Sequence, residues 1–284
     1  MKIFLAGATG AIGRLLVPLL INAGHEVVGT TRRPIKTGQI TALGARPIVV
    51  DALDRDALFT ALKDEQPDVV IHQLTDLAGR DFAANSRLRI EGTRNLVDAS
   101  RAVGVQRMIA QSIAWICVPG DTPSREDDLL DLDAPPPRGS TVAATRSLED
   151  ATAEMPVGIV LRYGLLYGPG TWYSREDNIV TQQIKRGEMP ANDAVTSFLH
   201  VADAAQAAFH ALAWPAGIYN IVDNEPAPAH EWLPLFASLI GAPPPPITTG
   251  RQGWERGASN TTARQLGWQP LYPSWRDGFK SELA

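Results

Sequence analysis

"KIFLAGATGAIGRLLVPLL", residues 2–20, joins a short apolar run, three glycines at intervals of three and a longer run with helical spacing. Residues 2–6 read as a buried strand and 12–23 as the helix that follows it. Between them, Gly7 ends the strand where the chain must turn sharply. Gly10 lets backbone amides approach a pyrophosphate, and Gly13 lets the helix pack closely on a sheet. The phosphates would then sit on the helix N-terminus, with Gly7, Ala8, Thr9, Gly10, Ala11, Ile12 and Gly13 as their cradle. A G-x-x-G-x-x-G alone is a weak signal. The strand before it and the apolar helix after it favour a dinucleotide site over a plain glycine turn.

The alternation that starts here continues along the chain. "EVVGTT" (26–31), "RPIVVD" (46–51), "DVVIHQL" (68–74), "RMIAQS" (107–112) and "GIVLRYG" (158–164) are short runs rich in Val and Ile and read as parallel strands. Helical patterns lie between them at 12–23, about 54–65, about 86–103 and about 141–154, the second opening with Asp54 as its N-cap. Repeated βα units of this length predict an α/β fold with a doubly wound parallel sheet. After residue 168 the pattern loosens into a Gly- and aromatic-rich loop. A strand leading into a helix follows ("SFLHVADAAQAAFHAL"), then a further strand ("GIYNIVD"). From Pro226 on, one helix around 229–240 precedes the stiff "APPPP" and an irregular Trp-rich tail. These shifts divide the chain into a dinucleotide-binding domain (1–168 and 196–225) and a smaller C-terminal substrate-binding lobe (169–195 and 226–284). "DAPPPRG" (133–139), after the acidic run "REDDLLDLD", reads as a solvated loop.

Composition narrows the partners. With 284 residues, 44% of them hydrophobic, the chain can bury a substantial core. A net charge of −5 with scattered Lys and Arg offers no basic field for nucleic acid. No apolar stretch is long enough to span a bilayer, so no membrane partner is expected. The single cysteine, Cys117, excludes an internal disulfide and suits the cytoplasm. The five histidines are dispersed, which leaves a metal site without support. A small-molecule substrate and a monomer or homodimer are the expected partners.

The end of the second strand bears on which nucleotide binds. A free ribose 2′-hydroxyl is usually gripped there by Asp or Glu, whereas this chain has Thr31, Arg32 and Arg33. Two guanidinium groups suit a 2′-phosphate, so NADP(H) is favoured over NAD(H), the alternative being two solvated loop cations. Asp51, ending the third strand next to Ala52, either accepts from the adenine amino group or caps the following helix.

In order and spacing, "GATGAIG", "VVDALD", "DVVIHQL", "EGTRNLVDAS", "QRMIAQS", "LRYGLLYGPGT", "SFLHVADAAQA" and "GIYNIVDNEP" resemble the short-chain dehydrogenase/reductases, specifically the NAD-dependent epimerase/dehydratase branch. The resemblance covers essentially the whole chain. It implies a Rossmann-type fold with cofactor along the strand ends, Leu74 and Thr75 beside the ribose, and a substrate cleft towards the C-terminal lobe. It also implies a Tyr-x-x-x-Lys pair, Tyr passing a proton and Lys lowering its pKa. Here Thr141 and Thr145 stand on those two positions when Glu149 is aligned with the family's trailing Glu. Ile113 stands on the active-site Ser or Thr position, with Ser112 one residue earlier and still able to reach the cofactor if the strand end bends. Arg89 stands on that of the helix-kinking Asn.

Near the expected nicotinamide there remain Tyr163 and Gly164, Tyr163 being either the proton donor or a packed tyrosine. Tyr167, Trp172 and Tyr173 either wall a substrate or pack the loop. His200 is a proton carrier or a structural histidine, with Asp203 capping the next helix. Trp254, Arg256, Asn260 and Trp268 are further candidates to face substrate. The function expected is an NADP(H)-binding oxidoreductase of a small organic carbonyl or imine-type substrate that arrives already polarised. The alternatives are a nucleotide-sugar epimerase/dehydratase and a non-catalytic NADP(H) sensor.

Overall fold

A computed structural model describes residues 1–77 and 79–283. Strands and helices alternate from the start: β1 (Lys2–Ala6), α1 (Ala11–Asn22), β2 (Glu26–Thr31), α2 (Thr37–Ala42), β3 (Arg46–Val49), α3 (Arg55–Glu65) and β4 (Val69–His72). Next come α4 (Phe82–Arg87), a π-helical segment Leu88–Gly92, α5 (Thr93–Ala102), β5 (Arg107–Ile113), α6 (Arg138–Ala153) and β6 (Val157–Tyr163). The remainder is β7 (Leu165–Tyr167), α7 (Ile179–Lys185), β8 (Val195–Thr196), β9 (Phe198–His200), α8 (Val201–His210), β10 (Gly217–Ile221), β11 (Ala227–Pro228), α9 (Ala229–Leu239), α10 (Thr261–Gln265) and α11 (Trp275–Leu283).

The central sheet has seven strands in the order β10-β6-β5-β4-β1-β2-β3. The register puts Ala6, Thr30, His72 and Ala110 in one row across β1, β2, β4 and β5, all running parallel. The segments that leave this row, 7–13, 31–33, 73–76 and 111–112, therefore emerge along one edge, the carboxyl edge where ligands of doubly wound sheets bind. β4 is buried at every residue, as a central parallel strand must be.

The chain divides into two compact units. The first comprises 1–112, 132–161 and 205–218, and the second 113–131, 162–204 and 219–284. The second thus takes in more of the chain than the lobe expected from the loosening pattern, including 113–131. The core of the first unit has Phe4, Val28 and Val70 of the sheet packed with Leu58, Leu62, Leu96 and Val97 of α3 and α5. Each such side chain contributes about 1.5–3 kcal/mol on burial. The core of the second unit is aromatic, with Tyr167, Phe198, Trp232, Phe236, Trp275 and Phe279 all at most 4% exposed and meeting largely edge to face.

Asp54 caps α3 as expected, accepting from the Ala57 amide at 3.1 Å. Several other elements differ from expectation. The helix expected over 86–103 starts at Phe82, capped by Asp81, and is interrupted by the π segment. The proline stretch at 133–139 is not wholly loop, since α6 begins at Arg138. The tail is less irregular than its prolines suggest: Trp275, Gly278, Phe279 and Leu283 are buried at helical spacing, which makes α11 amphipathic. Asp203 does not cap α8. It lies inside that helix, 0% exposed, and accepts from the Leu271 and Tyr272 amides at 2.5 and 3.1 Å. No helix of the described residues is long and apolar enough to cross a membrane.

Candidate cofactor and active site

The turn after β1 is built for close approach. Gly7 has φ +99°, and a Cβ on it would come within 2.7 Å of the Gln73 carbonyl oxygen. A Cβ on Gly13 would lie 2.2 Å from the Gly7 carbonyl oxygen, so the glycine lets α1 press on the turn. Gly10 differs from both: it is exposed at the N-cap of α1, and its Cβ would meet only the Gly7 oxygen at 3.3 Å. No side chain caps α1 and its first turn carries no acid, so its leading amides point outward without an internal acceptor. Donors of this kind fit a diphosphate. Ala8, Thr9, Ala11 and Ile12 form the rest of the turn, Ala8 and Ile12 buried and Thr9 and Ala11 partly exposed.

At the end of β2, Arg32 donates to Asp76 through both Nη1 and Nη2, at 2.9 and 3.0 Å. This hydrogen bond holds the guanidinium even more firmly protonated than usual. Among the described residues Arg33 carries no ion pair and is exposed; its amide donates to Thr31 Oγ1 at 3.1 Å. Asp51 is half-buried and accepts from the Leu53 amide at 3.0 Å, while the capping role of the alternative belongs to Asp54. Ala52 is buried, Leu74 half-buried and Thr75 exposed along the same edge. The Leu74 carbonyl accepts from Gln111 Nε2 at 2.8 Å.

Below this rim is a buried polar cluster. Ser112 Oγ donates to Glu149 Oε1 at 2.7 Å, with both residues at most 4% exposed. Ser112 thus turns towards α6. Arg89, 8% exposed, donates from Nη1 to Thr145 Oγ1 at 3.1 Å. Burial pushes its pKa down to about 10, against the pull of Glu149, so it stays cationic at neutral pH. Thr141 and Thr145 donate their own hydroxyl protons back to carbonyls four residues earlier, those of Pro137 and Thr141 at 3.3 and 2.8 Å. His72 accepts at Nδ1 from the Leu74 amide and lies 3.0 Å from Thr93 Oγ1 through Nε2. Burial, and then the charge of Arg89, drives its pKa down to about 4, so it is neutral.

The other candidates lie in the second unit. Tyr163 is 2% exposed and its hydroxyl donates to the Ala204 carbonyl at 3.4 Å, the packed arrangement of its two readings. Gly164 is buried, with the Ser197 carbonyl 2.7 Å from where its Cβ would stand. His200 is 4% exposed, accepts at Nδ1 from the Ala202 amide and stacks on Tyr272 at 3.9 Å between ring centroids. Its Nε2 is 3.3 Å from Glu282, without the alignment of a hydrogen bond, and burial lowers its pKa. Tyr167 and Tyr173 pack into the aromatic core and form no free wall. Trp268 is 0% exposed. Arg256 is tied to Asp128 and to the Thr122 carbonyl, and Asn260 to Val222, Asp223 and Asn224, so these side chains brace the fold.

Two partnerships, Asp76 with Arg32 and Glu149 with Ser112, and the role of Arg89 as a buried cation were not singled out from sequence. Arg89 did leave a signal, since with Thr93, Leu96 and Ser100 it repeats every three or four residues on the buried face of its helix.

A parallel Rossmann-type sheet with a glycine turn at its carboxyl edge defines a dinucleotide-binding protein. The chain belongs to the NAD dependent epimerase/dehydratase family, whose model matches residues 3–222. A nicotinamide dinucleotide is the cofactor that this family and this turn fit. Over 309 residues the chain is 43% identical to a 3-diazoavenalumate denitrifying reductase of a Streptomyces species, covering 99% of this chain and all of that one. It is 26% identical to a 2-alkyl-3-oxoalkanoate reductase of Stenotrophomonas maltophilia, over 86% of this chain and 77% of the relative. A UDP-glucose 4-epimerase of Thermotoga maritima shares the fold, with TM-score 0.78, 22% identity and coverage of 100% and 97% of the two chains.

Proposed function

We propose that the chain is an NADP(H)-preferring reductase of a small organic acceptor that arrives already polarised, in the first place an aryl diazo compound, acting in the cytoplasm. The observation that carries this reading is that, among the described residues, the two positions of the family's proton relay hold threonines whose hydroxyls are already bonded. Thr141 and Thr145 hold the positions of the family's Tyr and Lys, and both hydroxyl protons are spent on backbone carbonyls one turn earlier, those of Pro137 and Thr141. A threonine hydroxyl is a far weaker acid than a tyrosine of pKa about 10. A simple ketone reduced here would form an alkoxide with no acid to receive it. A diazonium or iminium cation becomes neutral on accepting a hydride equivalent, and no proton is needed in that step. The diazo reductase that this chain resembles over its whole length supports the first of these acceptors.

When bound, the reduced nicotinamide supplies the hydride. The chain's own work is binding, orientation and exclusion of water. The α1 amides and the turn Gly7–Gly13 receive the diphosphate, Arg32 and Arg33 a 2′-phosphate, and Asp51 with Ala52 the adenine. Leu74 and Thr75 lie along the ribose. Ser112, near the end of β5, has its hydroxyl proton on Glu149, and its proposed role is to line the cofactor site. Tyr163, Gly164 and His200 belong to the second unit, where all three are buried.

The test is NADPH oxidation by the purified protein against aryl diazonium salts, imines, enones and simple ketones, with dinitrogen release followed for the first. Turnover confined to the polarised acceptors supports the reading. Interconversion of a nucleotide sugar without net NADPH consumption overturns it in favour of an epimerase. Tight NADPH binding with no turnover overturns it in favour of a sensor.

A further inference from the structure

The π segment Leu88–Gly92 widens the helix between α4 and α5, and Arg89 is buried on it. Its bond to Thr145 Oγ1 at 3.1 Å is the only hydrogen bond it makes among the described residues. A guanidinium has five N–H donors, so most of Arg89's are left open in a nearly buried place. Its Nε and Nη2 are not fully buried, so these donors keep a narrow opening to solvent. Glu149, whose Oε1 accepts from Ser112, supplies a compensating charge.

The place is also informative. The charge of Arg89 is felt by His72, the last residue of β4, and the next residue, Gln73, abuts the Gly7 turn. Arg89 therefore lies under the carboxyl edge of the sheet. Thr145, which it touches, is the α6 position where the family resemblance expects a lysine.

We propose that Arg89 is a cofactor-binding residue whose open N–H donors hold the hydroxyls of the ribose on the nicotinamide side of the dinucleotide. It delivers from the α4–α5 helix the cation that α6 no longer carries. The chemistry selects a diol over an anion. Glu149 offsets the charge, so what Arg89 has left to offer is directional N–H donors, and hydroxyl oxygens can accept from them. The inference rests on the nicotinamide cofactor and is independent of the substrate proposed above.

The test compares two ligands by titration calorimetry. One is NADPH or NADH, whichever the wild type binds more tightly; the other is 2′,5′-ADP or ADP, the matching fragment without the nicotinamide riboside. Arg89→Met is expected to weaken the dinucleotide by about tenfold or more and leave the fragment unchanged. Arg89→Lys, which keeps the charge but not the fork, is expected to recover only part of the affinity lost in Arg89→Met. The double variant Arg89→Met with Thr145→Lys, which returns a cation to α6, is expected to recover much of the loss. Arg89→Gln, which keeps a donor for Thr145, serves if the Met variant does not fold. Unchanged dinucleotide affinity in the neutral variants overturns the proposal, and so does an equal loss for the fragment. Because binding alone is read, absence of activity on every acceptor would sink the reductase reading and leave this one standing.

Discussion

Arg32 and Asp76, forty-four residues apart, face each other in a two-bond fork at 2.9 and 3.0 Å. A 2′-phosphate arriving at the end of β2 meets one exposed guanidinium already engaged by a carboxylate and a second, Arg33, that is not. Under the proposed NADP(H) preference, Asp76 competes with the 2′-phosphate for Arg32 and offers an acceptor to a free 2′-hydroxyl.

From this pair we expect NADPH to bind at least about tenfold tighter than NADH, and Arg32→Ala with Arg33→Ala to remove most of that gap. Asp76→Asn releases Arg32 and should widen it severalfold. Calorimetric titration of each variant with both cofactors checks the set, and an unchanged ratio in Asp76→Asn would rule out this competition.

The glycines should separate binding from folding. Gly10→Val adds a side chain on the open side of the turn, so cofactor binding should vanish while stability falls by only about 1 kcal/mol. Gly13→Ala drives a methyl into the Gly7 carbonyl, 2.2 Å away, and should cost about 1–3 kcal/mol. Thermal melts and NADPH titration distinguish the two; equal damage in both assays for both variants would contradict the division.

Tyr163→Phe tests the missing acid. With the hydroxyl packed on the Ala204 carbonyl and a cationic acceptor in the site, the substitution should change kcat by less than about tenfold. Thr141→Ala and Thr145→Ala should behave alike. A fall of about 10² to 10⁴ in Tyr163→Phe would make Tyr163 the general acid after all.

Stability should depend on pH through Asp223. Burial raises its pKa from 3.8 to about 8, so the folded state binds its proton more tightly than the unfolded chain, and stability falls as pH rises through that window. His72 runs the other way, from 6.5 down to about 4 in the fold, and adds stability as pH rises, complete by about 6.5. Between about pH 6.5 and 8 Asp223 is left to act, for at most about 2 kcal/mol. The melting temperature should decline over that interval and Asp223→Asn should flatten the decline. A curve of the same slope in the variant would assign it to another group.

The βα alternation and the glycine turn were legible because each rests on local rules. Strands declare themselves by Val and Ile runs, helices by apolar spacing, and a turn that tolerates no Cβ by glycine. The family's motifs are legible for the same reason, being short and tied to one strand end or one helix face. What the sequence left open was which reading of each polar side chain held, and those choices depend on partners far away in the chain. Arg32 looked like a free cation until Asp76 met it, and Asp203 looked like a cap until the amides of Leu271 and Tyr272 reached it. Arg89 looked like a lost asparagine, and only the packing of α6 against the π segment shows it as a buried charge beside Thr145. Hydrophobic periodicity records which face is buried, and it carries no information on which buried group meets which. Tertiary packing decides that, by bringing one donor within about 3 Å of one acceptor and excluding water from both.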